Sequence, residues 1–186
     1  LWIEPRCAAL PFTHQGPFVH LENDAILCID ATSSYVSRDQ GKTWSAPRPL
    51  FDRSTDIKVS NERALLRTRE GTLIAAFMNL NERNWTWKNE LHDAPGAVLP
   101  TYVMRSLDDG RTWQDIQKLH DDWTGAVRDM IQTDDGRVVF TAMKFRHDPG
   151  RHAVLTYSSN DQGQTWTPSN LIDLGGAGHH GGVTEP

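Results

Sequence analysis

The chain has 186 residues, enough for one domain with a real hydrophobic core. Its 19 basic and 24 acidic residues give a formal net charge of −5 with no basic stripe, so we do not expect a nucleic-acid partner. No apolar run approaches the length of a membrane span, and no signal peptide is visible. Cys7 and Cys28 make no disulfide framework, and the sequence is compatible with a single bridge or with two free thiols.

Short apolar runs separated by Gly, Asp and Asn turns dominate the chain, a pattern typical of all-β proteins. Three units, each with four candidate strands, follow one another at about residues 15–52, 60–120 and 125–174, as the blades of a β-propeller would. We expect their closing strands at residues 48–51, 115–119 and 169–173. Residues 175–186 resemble the lead-in to a further blade. An insertion at residues 79–100 belongs on one face, where binding sites collect in repeat folds.

The pattern Ser-x-Asp-x-Gly-x-Thr-Trp occurs three times, at residues 37–44, 106–113 and 159–166. Such a repeat predicts the same tight hairpin turn three times. The Asp can accept hydrogen bonds from N–H groups ahead of it, and the Gly can adopt a positive φ without a steric clash. The Thr-Trp pair then re-enters a strand. We interpret the octapeptide as a structural lock rather than a catalytic or calcium site, since a chain rarely needs one catalytic group in triplicate.

The octapeptide resembles the Asp-box of the sialidase (neuraminidase) superfamily, whose members carry bacterial neuraminidase repeats (BNR). The resemblance implies a six-bladed β-propeller of the sialidase type, with about three four-stranded blades in this chain and the Asp-boxes away from the active face. Three blades do not close a ring. The sequence is therefore either part of a longer propeller or a half-propeller that pairs with a second copy as a homodimer. The family favours a secreted or periplasmic location.

The second unit extends the resemblance, because sialidases combine a strand-start arginine, a Gly turn, an apolar strand, a polar loop and an Arg-Ser pair before the box. The matching residues here are Arg63, Gly71, Arg83, Asp93 and Arg105. By this likeness Arg63 would help to clamp a sialic-acid carboxylate through its bidentate fork, and Asp93 would be the acid/base. Glu185 would match a family glutamate. The alternative is that Arg63 and Asp93 are ordinary loop charges.

Other polar residues fall at the starts of first strands or after second strands, which in a propeller ring the central channel. Clustered Arg, Asp, Glu and His side chains suit a site for an anionic sugar. The family likeness supplies Arg83 as a candidate for substrate binding. This placement adds Asp129 as a catalytic candidate and the following candidates for substrate binding: Arg6, Arg128, Lys144, His179 and His180. Any one of them alone is more often a solvated surface charge, so the prediction depends on the whole set.

Trp85 and Trp87 lie two residues apart in the long insertion, so an extended segment would present both rings on one side. Such a pair either stacks on a sugar ring or pins the loop to the blade. His179 and His180 do not have the spacing of a zinc signature, and we expect neither a metal ion nor a cofactor.

The leading hypothesis is a sialidase-like glycoside hydrolase that removes a terminal sialic acid or another acidic sugar from glycans. If the chain matches sialidases in mechanism, an Asp protonates the leaving oxygen, and a Tyr–Glu pair outside this sequence supplies the nucleophile. The alternative is a non-catalytic Asp-box propeller that binds glycan or protein, because a fold does not by itself determine a function.

Overall fold

The structure is a computed structural model that describes residues 2, 4–7, 12, 15–52 and 54–184. Its strands form three four-stranded antiparallel sheets, each a simple meander in chain order. The first sheet contains β1 (Phe18–His20), β2 (Ile26–Ile29), β3 (Ser33–Ser37) and β4 (Arg48–Pro49). The second contains β5 (Val59–Arg67), β6 (Leu73–Asn79), β7 (Thr101–Ser106) and β8 (Gln114–His120). The third contains β9 (Met130–Gln132), β10 (Val138–Arg146), β11 (Arg151–Ser159) and β12 (Thr167–Pro168).

The predicted all-β class and the propeller-type sheets are confirmed, while closure into six blades stays a prediction. In the described part of the chain the helical segments are two single 3₁₀ turns, Glu22–Asp24 and Leu80–Glu82. The last strand differs from the expectation of residues 169–173. Pairing with β11 begins at Thr167, directly after the third octapeptide, and resumes irregularly where Ile172 bridges Val154. The second-unit insertion lies between β6 and β7, as expected.

The hydrophobic core has two main parts, and the second sheet contributes to both, chiefly through β6. Leu73, Ala75 and Phe77 pack toward the first sheet. The alternate residues, which include Ile74, pack toward the third sheet. All seven residues of β6 are buried, and the first six form a continuous apolar run rather than an alternating pattern. This sandwiching of one sheet between two others is what holds the blades in order.

The three octapeptides fold into the same hydrogen-bonded turn. In the first, Asp39 Oδ1 accepts from Thr43 N at 2.8 Å and from Ser37 Oγ at 2.9 Å, and Asp39 Oδ2 accepts from Thr43 Oγ1 at 2.6 Å. The same bonds recur at Asp108 and Asp161. All three carboxylates are thus engaged within their own turns, as a structural lock requires.

Two consecutive residues of each octapeptide have positive φ, the glycine and the residue before it. The glycine also wedges against the preceding sheet. A Cβ at Gly110 would lie 2.2 Å from Leu27 Cδ1 in the first sheet, and a Cβ at Gly163 would lie 3.0 Å from Ile74 Cδ1 in the second. The octapeptide is therefore an inter-sheet contact as well as a turn.

The first octapeptide predicts a specific pH dependence of stability. Hydrogen bonds from the Thr43 hydroxyl and N–H lower the pKa of Asp39 to about 2. Because this folded-state pKa lies below the unfolded value near 3.8, the stabilisation is fully present above that value and is lost as pH falls toward 2. We expect Asp39→Asn to lower the Tm by several degrees at pH 7 and to match the parent near pH 2, in thermal melts followed by circular dichroism.

The matched control is Asp134→Asn, an exposed turn carboxylate that accepts no hydrogen bond from the described residues. Its Tm should follow the parent at both pH values. A Tm deficit of Asp39→Asn that is unchanged at pH 2 would contradict the proposed role of the carboxylate.

Candidate functional site

The octapeptides occupy one edge of the three sheets, and two adjoining cavities open at the opposite edge. The octapeptides follow the carboxyl ends of β3, β7 and β11. Because neighbouring strands are antiparallel, the opposite edge collects the starts of β5, β7 and β11 and the ends of β6 and β10. The insertion between β6 and β7 lies on this edge too.

Two cavities adjoin there, between the second and third sheets. The histidine cavity, of 290 Å³, is lined by Arg83, Trp85, Trp123, Gly125, Met143, His152, His179, His180 and Thr184. The Glu62 cavity, of 390 Å³, is lined by Ser60, Asn61, Glu62, Met78, Leu80, Arg83, Leu99, Trp123 and Gly125. Arg83, Trp123 and Gly125 line both, so we treat the two cavities as one cleft centred on these three residues.

Arg83 is an exposed cation at the centre of the cleft. It follows the 3₁₀ turn at Leu80–Glu82, and its guanidinium carbon lies 5.9 Å from the centroid of the Trp123 ring. No carboxylate among the described residues pairs with it. Trp123 is buried, with 8% of its surface exposed, and is fixed by a bridge to Leu99. A cation over an aromatic face with free N–H groups can bind an anionic group.

Trp85 forms one wall of the histidine cavity. Its ring lies 4.2 Å from that of Trp123 and 5.1 Å from that of Phe145, measured between centroids. Its Nε1 donates to His179 Nε2 at 3.2 Å, and His179 Nδ1 is 3.0 Å from His180 Nε2. Trp87 meets the other side of the same histidine, at 5.6 Å. Trp85 therefore lines the histidine cavity and contacts residues 175–184 through His179, whereas Trp87 contacts His179 without lining the cavity. Stacking of either ring on a sugar stays a prediction.

His152, the second residue of β11, lies at the back of the histidine cavity with 6% of its surface exposed. Burial lowers the pKa of its imidazole, although the hydrogen bond with the His179 carbonyl acts in the opposite direction. Its Nε2 donates to that carbonyl at 3.1 Å. The backbone of His152 also bonds to Gly181 and Val183, and this holds the glycine-rich segment against β11.

The carboxylates near the cleft lie in three different settings. Glu62 lines the Glu62 cavity and forms an ion pair with Arg128 at 3.1 Å. Asp129 is exposed and accepts from Met130 N. Asp93 lines a separate depression of 390 Å³ together with Leu91, Pro95, Gly96, His147 and Asp148. The structure therefore brings Arg128 to the cleft, and Glu62 with it, but not Asp129 or Asp93.

Asp93 is 6% exposed, and its carboxylate binds the imidazole of His147 at 2.9 Å and the N–H of Ala94 at 2.7 Å. Burial raises the pKa of Asp93, but the hydrogen bonds from His147 and Ala94 outweigh it, so the net pKa is lowered. A general acid needs a raised pKa. Asp93 in this setting orients His147 and joins the insertion to the β10–β11 hairpin.

Arg63 is 8% exposed and is engaged in structural contacts between the first two sheets. Its guanidinium donates to the carbonyls of Gly16 at 2.6 Å, Ser60 at 2.7 Å and Ile29 at 3.0 Å. It lines neither cavity of the cleft. The hypothesis of a carboxylate clamp needs free N–H groups, and in this structure both terminal nitrogens of Arg63 bind backbone carbonyls instead.

The remaining candidates are scattered. Arg6 is exposed and pairs with Glu4 at 2.8 Å, and Lys144 lies 3.9 Å from Asp122. Glu185 lies outside the described residues. Cys7 and Cys28 are free thiols, the first exposed and the second buried. Among the described residues no cluster of His, Cys, Asp and Glu could hold a metal ion, and no helix is long and apolar enough to cross a membrane.

A family model described as a BNR repeat-like domain matches residues 30–181, which is most of the chain. The chain belongs to this BNR repeat-like family. The resemblance predicted from the octapeptides is thereby confirmed. No curated protein matches the sequence.

Solved structures resemble the BNR repeat-like chain in fold, at low sequence identity. An α-L-arabinofuranosidase from Fusarium graminearum is 14% identical, with a TM-score of 0.58 over 84% of this chain and 46% of that one. An α-L-arabinanase from Penicillium chrysogenum is 17% identical, with a TM-score of 0.56 over 91% and 49%. The NanB sialidase from Streptococcus pneumoniae is 12% identical, with a TM-score of 0.56 over 88% and 44%. The chain spans about half the length of each.

Sequence reasoning missed three important residues of the BNR repeat-like chain's cleft: Glu62, Trp123 and His152. Glu62 directly precedes the candidate Arg63 and lies at the cleft edge of β5. His152 is the second residue of β11, just after the hairpin turn from β10. The end of β10, the second strand of its sheet, lies at the cleft edge, so the start of β11 was expected there too. Trp123 had no such signal, because it lies in the irregular link between the second and third sheets.

Proposed function

We propose that the chain is part of a glycan-active propeller, a sialidase-like glycoside hydrolase whose cleft binds a sugar with an anionic group, such as a terminal sialic acid. The observation that carries the proposal is the exposed Arg83 over Trp123, which has no carboxylate partner among the described residues and lies where two cavities meet. A guanidinium can bind a carboxylate with two parallel hydrogen bonds. Trp85 offers an apolar wall for the sugar ring.

The similarity of fold to an arabinofuranosidase, an arabinanase and a sialidase supports a sugar as the class of ligand. The choice of an acidic sugar rests on charge. Arg128 is paired with Glu62, and Lys144 faces Asp122. Arg83 lines both cavities and has no carboxylate partner among the described residues, so its guanidinium is available to an anionic ligand.

Hydrolysis of a glycosidic bond ordinarily uses two carboxyl groups that flank the bond. Within the described residues, Glu62 is the carboxylate that lines the cleft. We propose Glu62 as an acid/base candidate on this side of the cleft. The earlier candidates Asp93 and Asp129 line neither cavity.

The test is release of 4-methylumbelliferone from an α-sialoside, a β-glucuronide and an α-L-arabinofuranoside. We expect turnover of an acidic glycoside by the parent and a loss of about 10- to 100-fold in kcat/KM for Arg83→Gln, as for a removed charge-assisted hydrogen bond. Arg111→Gln, an exposed arginine in the second octapeptide, is the matched control and should leave activity unchanged. Preferred turnover of the neutral arabinofuranoside would contradict the acidic-sugar proposal.

A second candidate function, binding without turnover, is favoured by the single carboxylate of the described cleft lining. It predicts that N-acetylneuraminic acid or glucuronic acid binds with Arg83-dependent affinity while no fluorophore is released. Calorimetry on Glu62→Gln separates the two functions. A hydrolase loses turnover and retains binding, whereas for a binding module turnover is absent in the parent as well. If no acidic sugar binds to a folded sample, both proposals fail.

The pairing of two copies into a six-bladed ring also remains a proposal. Light scattering of the purified chain tests it directly, because a monomer at all concentrations would exclude the ring.

A further inference from the structure

Two residues that line the histidine cavity each have a buried nitrogen atom with no hydrogen-bond partner among the described residues: Trp123 Nε1 and His152 Nδ1. Both side chains are more than nine-tenths buried, with 8% and 6% of their surface exposed, and both line the same cavity. Buried polar atoms in folded proteins are almost always paired, so two unpaired ones beside one cavity point to a partner that enters it.

The hydrogen-bonding character of each atom follows from its other contacts. The indole Nε1 of Trp123 can only donate. His152 Nε2 donates to the His179 carbonyl, and burial favours the neutral ring, so Nδ1 carries a lone pair and accepts. The cavity therefore presents one donor and one acceptor. A carboxylate, which only accepts, can serve the indole but not the imidazole, whereas an alcohol group can serve both.

We propose that the histidine cavity is a hydroxyl subsite, in which the ligand's alcohol oxygen accepts from Trp123 Nε1 and an alcohol hydrogen is donated to His152 Nδ1. This inference rests on the proposed function for the sugar as ligand and adds its orientation. The anionic group binds Arg83, at the junction of the cavities, and the hydroxyl-bearing part extends toward His152 and Trp85. The class of ligand is thus a sugar with free hydroxyl groups next to its charged end.

Gly125 lies beside the indole N–H of Trp123. Its φ lies outside the left-handed region, so the backbone does not require glycine there. A Cβ at this position would lie 3.5 Å from Trp123 Nε1 and 3.1 Å from Met143 Cε, the flexible end of a side chain. An alanine at residue 125 would therefore cover the indole N–H while the fold adjusts at Met143. This makes Gly125→Ala a variant that blocks the subsite without removing any of its polar groups.

The experiment is a titration of the ¹⁵N-labelled chain, followed through the indole N–H signals, with glycerol, a methyl α-sialoside and a methyl β-glucuronide as probes. Trp123→Phe assigns the Trp123 signal by its disappearance. We expect this signal to move downfield and saturate with glycerol and with at least one acidic glycoside. Affinity should fall about 2- to 10-fold in Trp123→Phe, Gly125→Ala and His152→Phe, as for one lost neutral hydrogen bond.

Trp166→Phe is the matched control, because its indole N–H donates to the Gly163 carbonyl on the octapeptide edge. Its affinity for the probes should equal that of the parent. A glycoside that binds in an Arg83-dependent manner without moving the Trp123 signal would overturn the subsite and leave the proposed function standing. Glycerol that moves the signal while no acidic glycoside binds would support the subsite and overturn the proposed function. A signal that no probe moves overturns the subsite.

Discussion

Gly182→Ala should release residues 175–184 from β11 and abolish ligand binding at the histidine cavity, while the three sheets stay folded. Gly182 has a φ of +87°, and a Cβ there would lie 2.0 Å from the His152 carbonyl oxygen. No side-chain movement relieves this contact, because the atom struck is backbone. The segment must therefore move away from β11. This breaks the hydrogen bonds from His152 N to Gly181 O and from Val183 N to His152 O.

Detachment of this segment alters the histidine cavity because the segment contains His179. When it detaches, Trp85 loses its hydrogen bond to His179 Nε2, and His152 loses the carbonyl that accepts from its Nε2. We expect at least a tenfold loss of affinity for the acidic glycosides. We also expect a broad-specificity protease to cleave the glycine-rich segment of the variant but not that of the parent. Calorimetry and limited proteolysis measure the two effects.

The control for this prediction is Gly175→Ala in the same segment. Gly175 has a φ of +76°, and a Cβ there would meet nothing within 4 Å. The variant therefore carries the backbone penalty of about 1–2 kcal/mol without the clash. Equal protease sensitivity of the two variants would show that the close approach to His152 does not hold the segment.

Among glycine-to-alanine substitutions in the sheets and their turns, Gly110→Ala should lower the free energy of unfolding most. The backbone penalty at its φ of +75° is about 1–2 kcal/mol, and overpacking against the fully buried Leu27 adds about 1–3 kcal/mol. Gly136→Ala is the control, since Gly136 has a φ of +90° and open space around its missing Cβ. Urea unfolding should therefore place Gly110→Ala about 1–3 kcal/mol below Gly136→Ala.

A double variant tests the origin of this difference. Leu27→Ala creates a cavity where the new methyl group would sit, so Leu27→Ala with Gly110→Ala should be less destabilised than the sum of the single variants. If the losses in free energy of unfolding are strictly additive, the contact between residue 110 and Leu27 is not the cause of the destabilisation.

The fold was accessible from the sequence because its determinants are local and repeated. The octapeptide identifies its turn by itself, through a carboxylate that bonds four residues ahead and a glycine with positive φ. The closing strand of the third sheet begins two residues earlier than predicted. Proline is unfavourable inside a strand, so Pro168 gives no strand signal, and the pair forms because the chain leaves the octapeptide beside β11.

The candidate site was only partly accessible. Of the residues expected at strand starts, His179 and His180 line the histidine cavity and Arg128 pairs with Glu62, but position alone does not distinguish a free arginine from an engaged one. Arg63 has the right residue type at the right edge, yet carbonyls of another sheet take up its N–H groups. Trp123 owes its place to packing between two sheets. Such contacts between residues distant in sequence leave no local pattern to detect.

The spacing between the sheets is set differently at their two edges. Gly110 and Gly163 each set the distance between neighbouring sheets at one edge, through Leu27 and Ile74. At the other edge the insertion between β6 and β7 places Ala94, Ala97 and Leu99 in the core that the second and third sheets share. A deletion or graft within residues 80–100 would therefore have to keep these three residues, whereas each octapeptide needs only its glycine to approach the preceding sheet.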